Sequence, residues 1–256
     1  MIVAASTSSI SDEPLADVFE RLVDLEYTSA ELVIGERGTI PRSQIASRHA
    51  TIVQLRRNSR RITPIAIYFD VEAPPDEQSD PRYMEYVTQF TQACQLAKDC
   101  KVAVMTIHSS LPGASFNGEI DRLQELVKIG LHYGVVIGVA TEAGHITDTP
   151  ETVLSLCRLV KGLSVTLDPS HYIYNLPKPK DYEVLLPHVC HVRFRDTTSE
   201  QFQTRIGQGV IDFGRLITLL GNENYHRALC VDLAPLPNID QSSELRKMRL
   251  LLESSL

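Results

Sequence analysis

The sequence predicts a (β/α)8 barrel, or TIM barrel, formed as one domain over residues 1–256. Three observations support this fold class. The length of 256 residues is close to the roughly 250 that such a barrel needs. Short apolar segments alternate with amphipathic segments along the whole chain, which favours a parallel sheet. The long polar loops follow the predicted strands, whereas the segments that precede strands are short.

Eight apolar segments have the length and composition of strands. They cover residues 2–6, 29–34, 62–69, 101–108, 135–141, 163–167, 189–195 and 228–231. Because eight alternating strand and helix units are enough to close a parallel sheet on itself, we expect a barrel and not an open sheet.

Amphipathic helices are predicted between these strands. The first carries apolar residues at helical spacing over residues 15–23, after a capping residue at Ser11. A later helix begins after Thr149, where Pro150 occupies the first helical position, and ends near Gly162.

The polar loops after the strands cover residues 70–81, 109–118, 168–181, 196–212 and 233–243. In a (β/α)8 barrel these loops lie at the C-terminal ends of the strands, where active sites are built. We therefore expect the functional residues at that end of the barrel.

The composition, with 43% hydrophobic and 22% charged residues, is typical of a soluble globular protein. The formal net charge of -7 opposes binding to the phosphate backbone of nucleic acid. No segment approaches the ~20 consecutive apolar residues of a membrane helix, and the N-terminus lacks the features of a signal peptide. We expect a cytoplasmic protein without nucleic-acid or membrane partners.

The five cysteines form no C-x-x-C pair, which predicts small buried side chains and not disulfides or a thiolate metal site.

Alternation of side chains along the strands places ionisable groups inside the barrel. In three strands the bulky apolar residues occupy the alternate positions that face the helices. The positions between them face the barrel interior, and the last of these in each strand is a carboxylate. These inward carboxylates are Glu142, Asp168 and Asp232.

The strand over residues 189–195 has a basic inward face. The inward residues are His191, Arg193 and Arg195, whereas Cys190, Val192 and Phe194 are expected to face the helices. The same alternation adds inward candidates from earlier strands, namely Glu31, Tyr68, Asp70 and His108.

Ionisable groups that converge are costly to desolvate unless they are paired, bound to metal or used in chemistry. One hypothesis is a divalent metal held by Glu142, Asp168 and Asp232, with one carboxylate acting as a general base. The alternative is a salt-bridge cluster in which Arg193 and Arg195 neutralise these carboxylates. The pattern of residues alone does not separate the two.

Two histidines are candidates for substrate contacts. His171 follows Asp168 by three residues, and His108 ends a predicted strand. The glycines of residues 207–213 offer backbone amides to a phosphate, although turn geometry explains them equally well, and Asp212 is expected to cap a helix. The other histidines are expected to be structural or surface residues: His49, His132, His145, His188 and His226.

Together these segments resemble the xylose-isomerase-like superfamily of barrels. That superfamily includes sugar and sugar-phosphate isomerases and epimerases, hydroxypyruvate isomerases, inosose dehydratases and metal-dependent abasic-site endonucleases. The similarity covers nearly the whole chain and rests on six segments in the right order. They are LEYTSAEL around Glu31, VMTIHSSLPG, GVVIGVATEAGH with Glu142, the D-x-x-H element of Asp168 and His171, HVCHVRFRD, and GQGVIDFGRLITLL followed by YHRALCVD.

The resemblance implies a metal held by a Glu, an Asp, a His and a final Glu, in which the two Glu residues move a proton. Glu142 and Asp168 match two of these ligands, whereas Arg193 stands at the His position and Asp232 at the final Glu position. A guanidinium group cannot ligate a metal. Arg193 would instead polarise a substrate carbonyl, or the neighbouring His191 would supply the ligand.

The function implied by the resemblance is an isomerase or epimerase of a small sugar, sugar phosphate or hydroxy-ketone, with Glu142 and Asp232 transferring the proton. The resemblance also implies a divalent metal (Mn, Mg, Co or Zn), no organic cofactor and a carbohydrate-like ligand, and it is compatible with a homo-oligomer. The residues expected to contact substrate are His108, His171, Arg193, Arg195, Glu31 and Tyr68.

Two other functions remain open from the sequence. One is a barrel without catalysis or metal that binds a sugar or phosphate, with Arg193 pairing Glu142 and Asp168. The other is a dehydratase or lyase on the same scaffold, which also begins with proton abstraction.

Overall fold

A computed structural model describes residues 1–10, 13–35, 38–47, 61–75 and 80–256 of the chain. Among these residues eight parallel strands form a closed barrel, because the first strand pairs with both the second and the last. The predicted fold class is therefore confirmed. The predicted cap Ser11 and the surface candidate His49 lie outside the described residues.

The barrel strands are β1 (Ile2–Ser6), β2 (Ser29–Gly35), β4 (Thr63–Asp70), β5 (Val104–Ile107), β6 (Val136–Ala140), β7 (Ser164–Leu167), β8 (Val189–Phe194) and β9 (Ala228–Val231). Their bounds agree with the predicted ones to within a few residues. An additional short strand, β3 (Ile40–Pro41), pairs with the end of β2 outside the closed ring, and the sequence pattern did not predict it.

The described α-helices are α1 (Leu15–Asp24), α2 (Pro81–Cys100), α3 (Phe116–Tyr133), α4 (Pro150–Leu159), α5 (Phe213–Asn222) and α6 (Gln241–Glu253). Between β7 and β8 the chain forms two short 3-10 helices, Pro169–Tyr172 and Glu183–His188. None of the described helices is long and apolar enough to cross a membrane.

The predicted start of α4 is confirmed by its cap. The hydroxyl group of Thr149 accepts a hydrogen bond from the backbone N–H of Thr152 at 3.3 Å, and Pro150 follows as the first helical residue. The helix ends at Leu159, a few residues earlier than the sequence predicted.

The main apolar core lies between the barrel and the helices. Ile137 and Val139 of β6 and Val165 and Leu167 of β7 are buried there, as the alternation predicted. The opposite parity of the same strands faces the barrel axis, so the strand-end residues of that parity converge at one mouth of the barrel.

Cys190 departs from the predicted alternation, because it faces the barrel interior and not the helices. The pairing register of β7 with β8 shifts beside this residue, which is the signature of a β-bulge. Cys190 and its neighbour His191 therefore both point inward, and Cys190 packs against Ala66 and Val104.

Gly138 on β6 faces the inward side chain of Cys190 inside the barrel, so there is little space beside it. A Cβ atom at this position would lie 2.6 Å from Thr166 Oγ1 and 2.7 Å from Cys190 Sγ. We expect Gly138→Ala to lower the free energy of unfolding by about 1–3 kcal/mol through overpacking, as measured by urea denaturation. Gly214→Ala is the matched control, since its Cβ would lie 3.7 Å from Asp212 Oδ1. Equal midpoints for the two variants would contradict this account.

Candidate functional site

Five buried charged residues from β2, β8 and the ends of β7 and β9 meet at the C-terminal mouth of the barrel. We call them the arginine cluster: Glu31, Asp168, Arg193, Arg195 and Asp232. Isolated charges at this depth would be strongly destabilising, so the cluster depends on how its members pair.

Two arginines of β8 and its end neutralise the carboxylates of this cluster. Arg193 Nε lies 3.2 Å from Glu31 Oε1, and its Nη2 lies 3.1 Å from Asp232 Oδ1. Arg195 Nη2 lies 3.0 Å from Asp168 Oδ2 and also contacts Asp232 Oδ2. Both arginines thus bridge two carboxylates, as the salt-bridge alternative predicted in outline. The partners differ from the expected ones, because Arg195 and not Arg193 pairs with Asp168, and Glu142 pairs with His108.

The pairing favours the ionised forms of Glu31 and Asp232. Burial raises the pKa of Asp232, but Arg193 and Arg195 outweigh this effect and lower it overall. The hydroxyl group of Ser8 adds a hydrogen bond of 3.1 Å to Asp232 Oδ1. The pKa of Glu31 is lowered in the same way, by Arg193 and by a 2.9 Å contact with His191 Nε2 against the effect of burial.

A second group, the histidine cluster, lies at the ends of β4, β5 and β6. It consists of Asp70, Glu72, His108, Glu142 and His145. The His108 ring lies between two carboxylates, with Nδ1 2.8 Å from Glu142 Oε2 and Nε2 2.9 Å from Asp70 Oδ1.

These contacts shift the pKa values of both partners. Burial lowers the pKa of His108, but the hydrogen bonds to Asp70 and Glu142 outweigh it and raise the value to about 10. Burial raises the pKa of Glu142, but the His108 hydrogen bond and charge outweigh it and lower the value to about 2. At neutral pH a cationic His108 ring therefore faces an ionised Glu142.

Tyr68 joins the two clusters. Its hydroxyl group donates a hydrogen bond of 3.1 Å to Glu142 Oε1, and the Arg193 guanidinium carbon lies 4.1 Å from the centre of its ring. Arg193 in turn reaches Asp232. Glu142 and Asp232, the two expected proton-transfer groups, are thus linked through a stacked Tyr68–Arg193 pair.

His171 lies beside the arginine cluster on the loop after β7. Its Nδ1 accepts a hydrogen bond from the backbone N–H of Ala143 at 3.2 Å, and its ring centre lies 4.7 Å from that of Phe202. Phe202 also lies 4.6 Å from the Arg195 guanidinium carbon. Burial is the main reason that the pKa of His171 is lowered, with the arginines contributing, which favours the neutral ring.

Four residues of the site were not predicted from the sequence. Ser8, Glu72 and Phe202 lie in connecting segments without a recognisable pattern, so only their contacts reveal them. His145 was expected to be structural, yet its ring stacks on His108 with 5.8 Å between centres. Its position three residues after Glu142, just beyond a strand end, was the available signal.

The backbone amides of Gly207 and Gly209, in the loop between β8 and α5, bind a carboxylate of the protein itself. Asp196 Oδ2 accepts hydrogen bonds from Gly207 N at 2.8 Å and Gly209 N at 2.9 Å, and Oδ1 accepts one from Thr197 N. These amides, which the sequence predicted as a possible phosphate site, therefore hold Asp196 in place. Asp212 caps α5 through Arg215 N at 2.9 Å, as expected.

The set Glu142, Asp168 and Asp232 does not fit a divalent cation in this arrangement. Arg195 Nη2 lies within ion-pair distance of both aspartates, where a shared metal would have to bind, and a guanidinium group offers no lone pair to a metal. Glu142 directs its carboxylate to His108 and Tyr68.

Other ligand-type side chains do come together within the described parts of the chain. Potential ligand atoms lie within 4.8 Å of one another in two groups, Glu31 with His191 and Cys230, and Glu72 with His108 and His145.

A closed (β/α)8 barrel defines a TIM-barrel protein, and the buried ionisable groups make its C-terminal mouth the candidate site. A family model described as a xylose isomerase-like TIM barrel matches residues 19–248. The chain therefore belongs to the xylose isomerase-like TIM barrel family, as the resemblance implied. No curated protein sequence matches the chain.

Several solved structures share the fold. A 3-keto-D-glucoside 4-epimerase from E. coli has a TM-score of 0.78 and 12% identity, with 99% of both chains covered. A D-tagatose 3-epimerase-like protein has a TM-score of 0.76 and 18% identity, again with 99% of both chains covered. A xylose isomerase-like protein from Mycobacterium smegmatis in complex with magnesium has a TM-score of 0.77 and 12% identity, covering 100% of this chain and 97% of that one. At these identities the likeness shows the fold.

Removal of one partner from an interior ion pair should lower stability far more than removal from a surface pair. We expect Arg195→Met to lower the free energy of unfolding by about 3–5 kcal/mol, because it leaves buried carboxylates unpaired. Arg215→Met removes an exposed pair with Glu183 and should change stability by less than about 1 kcal/mol. Denaturant unfolding of both variants measures the difference, and similar losses would contradict the role assigned to the arginine cluster.

The loop after β8 should depend on Asp196. We expect Asp196→Asn to lower stability by about 1–3 kcal/mol, because the amide group has one oxygen where the carboxylate has two, so that its NH2 group must face either the two glycine amides or the Thr197 amide. Hydrogen exchange should become faster at the backbone amides that lose their acceptor. Asp212→Asn is the control at the other end of the same loop and should be nearly neutral, since Asn caps helices as well as Asp does. Unchanged exchange in Asp196→Asn would refute the role of this carboxylate.

Proposed function

We propose that this chain is a carbohydrate isomerase or epimerase that transfers a proton at the C-terminal mouth of the barrel. The observation that carries the proposal is the placement of Glu142 and Asp232 at the two ends of the Tyr68–Arg193 pair. A sugar carbon bound over this pair would have a carboxylate within reach on either side. The epimerases among the similar structures support the same class of reaction.

The proposed chemistry begins with removal of the proton on the carbon next to a substrate carbonyl. One carboxylate, Glu142 or Asp232, accepts this proton and becomes a carboxylic acid, while the carbonyl oxygen takes up the negative charge of the enediolate. Return of a proton to the former carbonyl carbon, together with transfer of the hydroxyl proton from one enediolate oxygen to the other, gives an isomer. Return of a proton to the opposite face of the original carbon gives an epimer. Proton transfers of this kind contribute about 10²–10⁴-fold to rates.

Arg193 supplies the positive charge that the developing enediolate oxygen needs. The guanidinium group is buried and held by Glu31 and Asp232, so it is already oriented when substrate binds, and preorganised charges of this kind are effective in a desolvated site. Its Nε contacts Glu31 Oε1 at 3.2 Å as an ion pair without the geometry of a hydrogen bond. His108, His171 and Arg195 are proposed to contact the substrate hydroxyl groups around it.

A second candidate is a barrel of the same fold that binds a sugar without reaction. The observation that favours it is the lowered pKa of both carboxylates, since Glu142 is held by His108 and Asp232 by the arginines, against the effect of burial. Carboxylates stabilised in this way are weaker bases, and reaction requires the substrate to displace part of that stabilisation.

Solvent-deuterium exchange distinguishes the two candidates. The protein in D2O should incorporate deuterium into at least one member of a ketose panel, detected by mass spectrometry and NMR. We expect Glu142→Gln and Asp232→Asn each to slow this exchange by about 10²–10⁴-fold, because each removes one proton-transfer group.

Asp121→Asn is the control for these variants, since Asp121 is exposed on α3 and should leave the exchange rate unchanged. Saturable sugar binding without exchange would support the binding barrel. Exchange that persists undiminished in both site variants would contradict the assigned roles.

A further inference from the structure

His145 is a partly buried side chain, 14% exposed, whose two ring nitrogens are themselves buried. Neither ring nitrogen is accessible to solvent, and neither makes a hydrogen bond to the described residues. The ring lies nearly parallel to that of His108, with 17° between the planes. Buried polar atoms are rarely left unsatisfied, and an ion is one of the standard reasons for an apparent exception.

The distances around His145 are too long for hydrogen bonds and lie slightly above the separation of two ligands on one metal ion. Its Nε2 lies 3.6 Å from Glu72 Oε2 and 3.8 Å from Glu142 Oε2, too long for hydrogen bonds. Two ligands bound tetrahedrally to one Zn²⁺ at about 2.0–2.2 Å are about 3.4 Å apart. Glu72, His108 and His145 each offer a ligand atom, and the three atoms lie within 4.8 Å of one another.

We propose that Glu72, His108 and His145 form a divalent-cation site suited to Zn²⁺ at the ends of β4, β5 and β6. Two imidazoles and one carboxylate are a common zinc ligand set that leaves a fourth position open. Either the Glu142 carboxylate or a hydroxyl group of a bound ligand can fill that position. The set differs from Glu142, Asp168 and Asp232, the ligands that the resemblance implies.

The surroundings of His108 support this assignment. A metal-binding histidine usually gives its second ring nitrogen to a carboxylate, which orients the ring and strengthens the ligand. His108 has a carboxylate at each nitrogen, Asp70 at 2.9 Å and Glu142 at 2.8 Å. A bound cation would displace the proton from one ring nitrogen, while the other nitrogen keeps its carboxylate partner.

The other group of ligand-type side chains suits a cation less well. Glu31, His191 and Cys230 lie beside Arg193, whose Nε is 3.2 Å from Glu31 Oε1. The fixed positive charge of that guanidinium group would repel a cation bound by Glu31. The two halves of the mouth thus differ, with arginine charges on one side and a cation-accepting group on the other.

Zinc binding tests the site directly and does not depend on any reaction, so its outcome is separate from that of the proposed isomerase activity. Chelator-treated full-length protein would be titrated with ZnCl2 by calorimetry, and with CoCl2 to record the visible absorption of four-coordinate cobalt. We expect about one ion per chain. His145→Gln and Glu72→Gln should each weaken Zn²⁺ binding by about 100-fold or more, because loss of an outer-shell partner alone weakens it by about 10–100-fold.

Two controls make the result specific. His132→Gln changes an exposed histidine on α3 and should bind Zn²⁺ as the unaltered chain does. Asp168→Asn should also bind normally, since Asp168 belongs to the arginine cluster. The side chain of Glu72 is 65% exposed, so Glu72→Gln should fold even if His145→Gln does not.

Three results would overturn the proposal. The first is the absence of stoichiometric Zn²⁺ and Co²⁺ binding. The second is unchanged affinity in folded Glu72→Gln and His145→Gln. The third is loss of binding in Asp168→Asn with retention in the two site variants, which would move the cation to the ligand set implied by the resemblance.

Discussion

The mouth of this barrel depends on the pairing of buried carboxylates with Arg193 and Arg195. Closure of eight strands brings Glu31, Asp168 and Asp232 toward one axis, and three such charges would repel one another strongly where water is excluded. The guanidinium groups of β8 relieve this repulsion by bridging the carboxylates in pairs. Planar groups with several donors in a fixed geometry suit this task better than the point charge of a lysine.

This pairing also decides which chemistry is available on each side of the mouth. Arg195 lies between Asp168 and Asp232, where a metal shared by these two carboxylates would have to bind. The positive charge on this side of the mouth is therefore that of the guanidinium groups. On the side of β4 to β6 the cationic group is His108, whose ring can bind a metal only when it gives up one of its protons. Tyr68 stands between the two sides, with its ring against Arg193 and its hydroxyl group on Glu142.

The loop after β8 illustrates how a sequence motif acquires its meaning from its surroundings. Two glycine amides that point toward one spot form a cavity for an anion. In this chain the anion is the Asp196 carboxylate, which comes directly after Arg195. The same hydrogen bonds that hold the loop also fix the end of β8, so the loop and the arginine cluster support each other.

The sequence by itself determined the barrel, the eight strands and the list of inward ionisable residues, because strand alternation and hydrophobic patterning are local properties. Only the tertiary structure decided that Cys190 faces inward, since a bulge depends on the partner strand. It also decided that Arg193 pairs with Glu31 and Asp232 while Arg195 takes Asp168, because the stagger between strands sets which side chains lie at the same height. For the same reason, the alternation of side chains along β6 predicted that Glu142 lies at the mouth. It could not predict the contacts of Glu142 with His108, Tyr68 and His145.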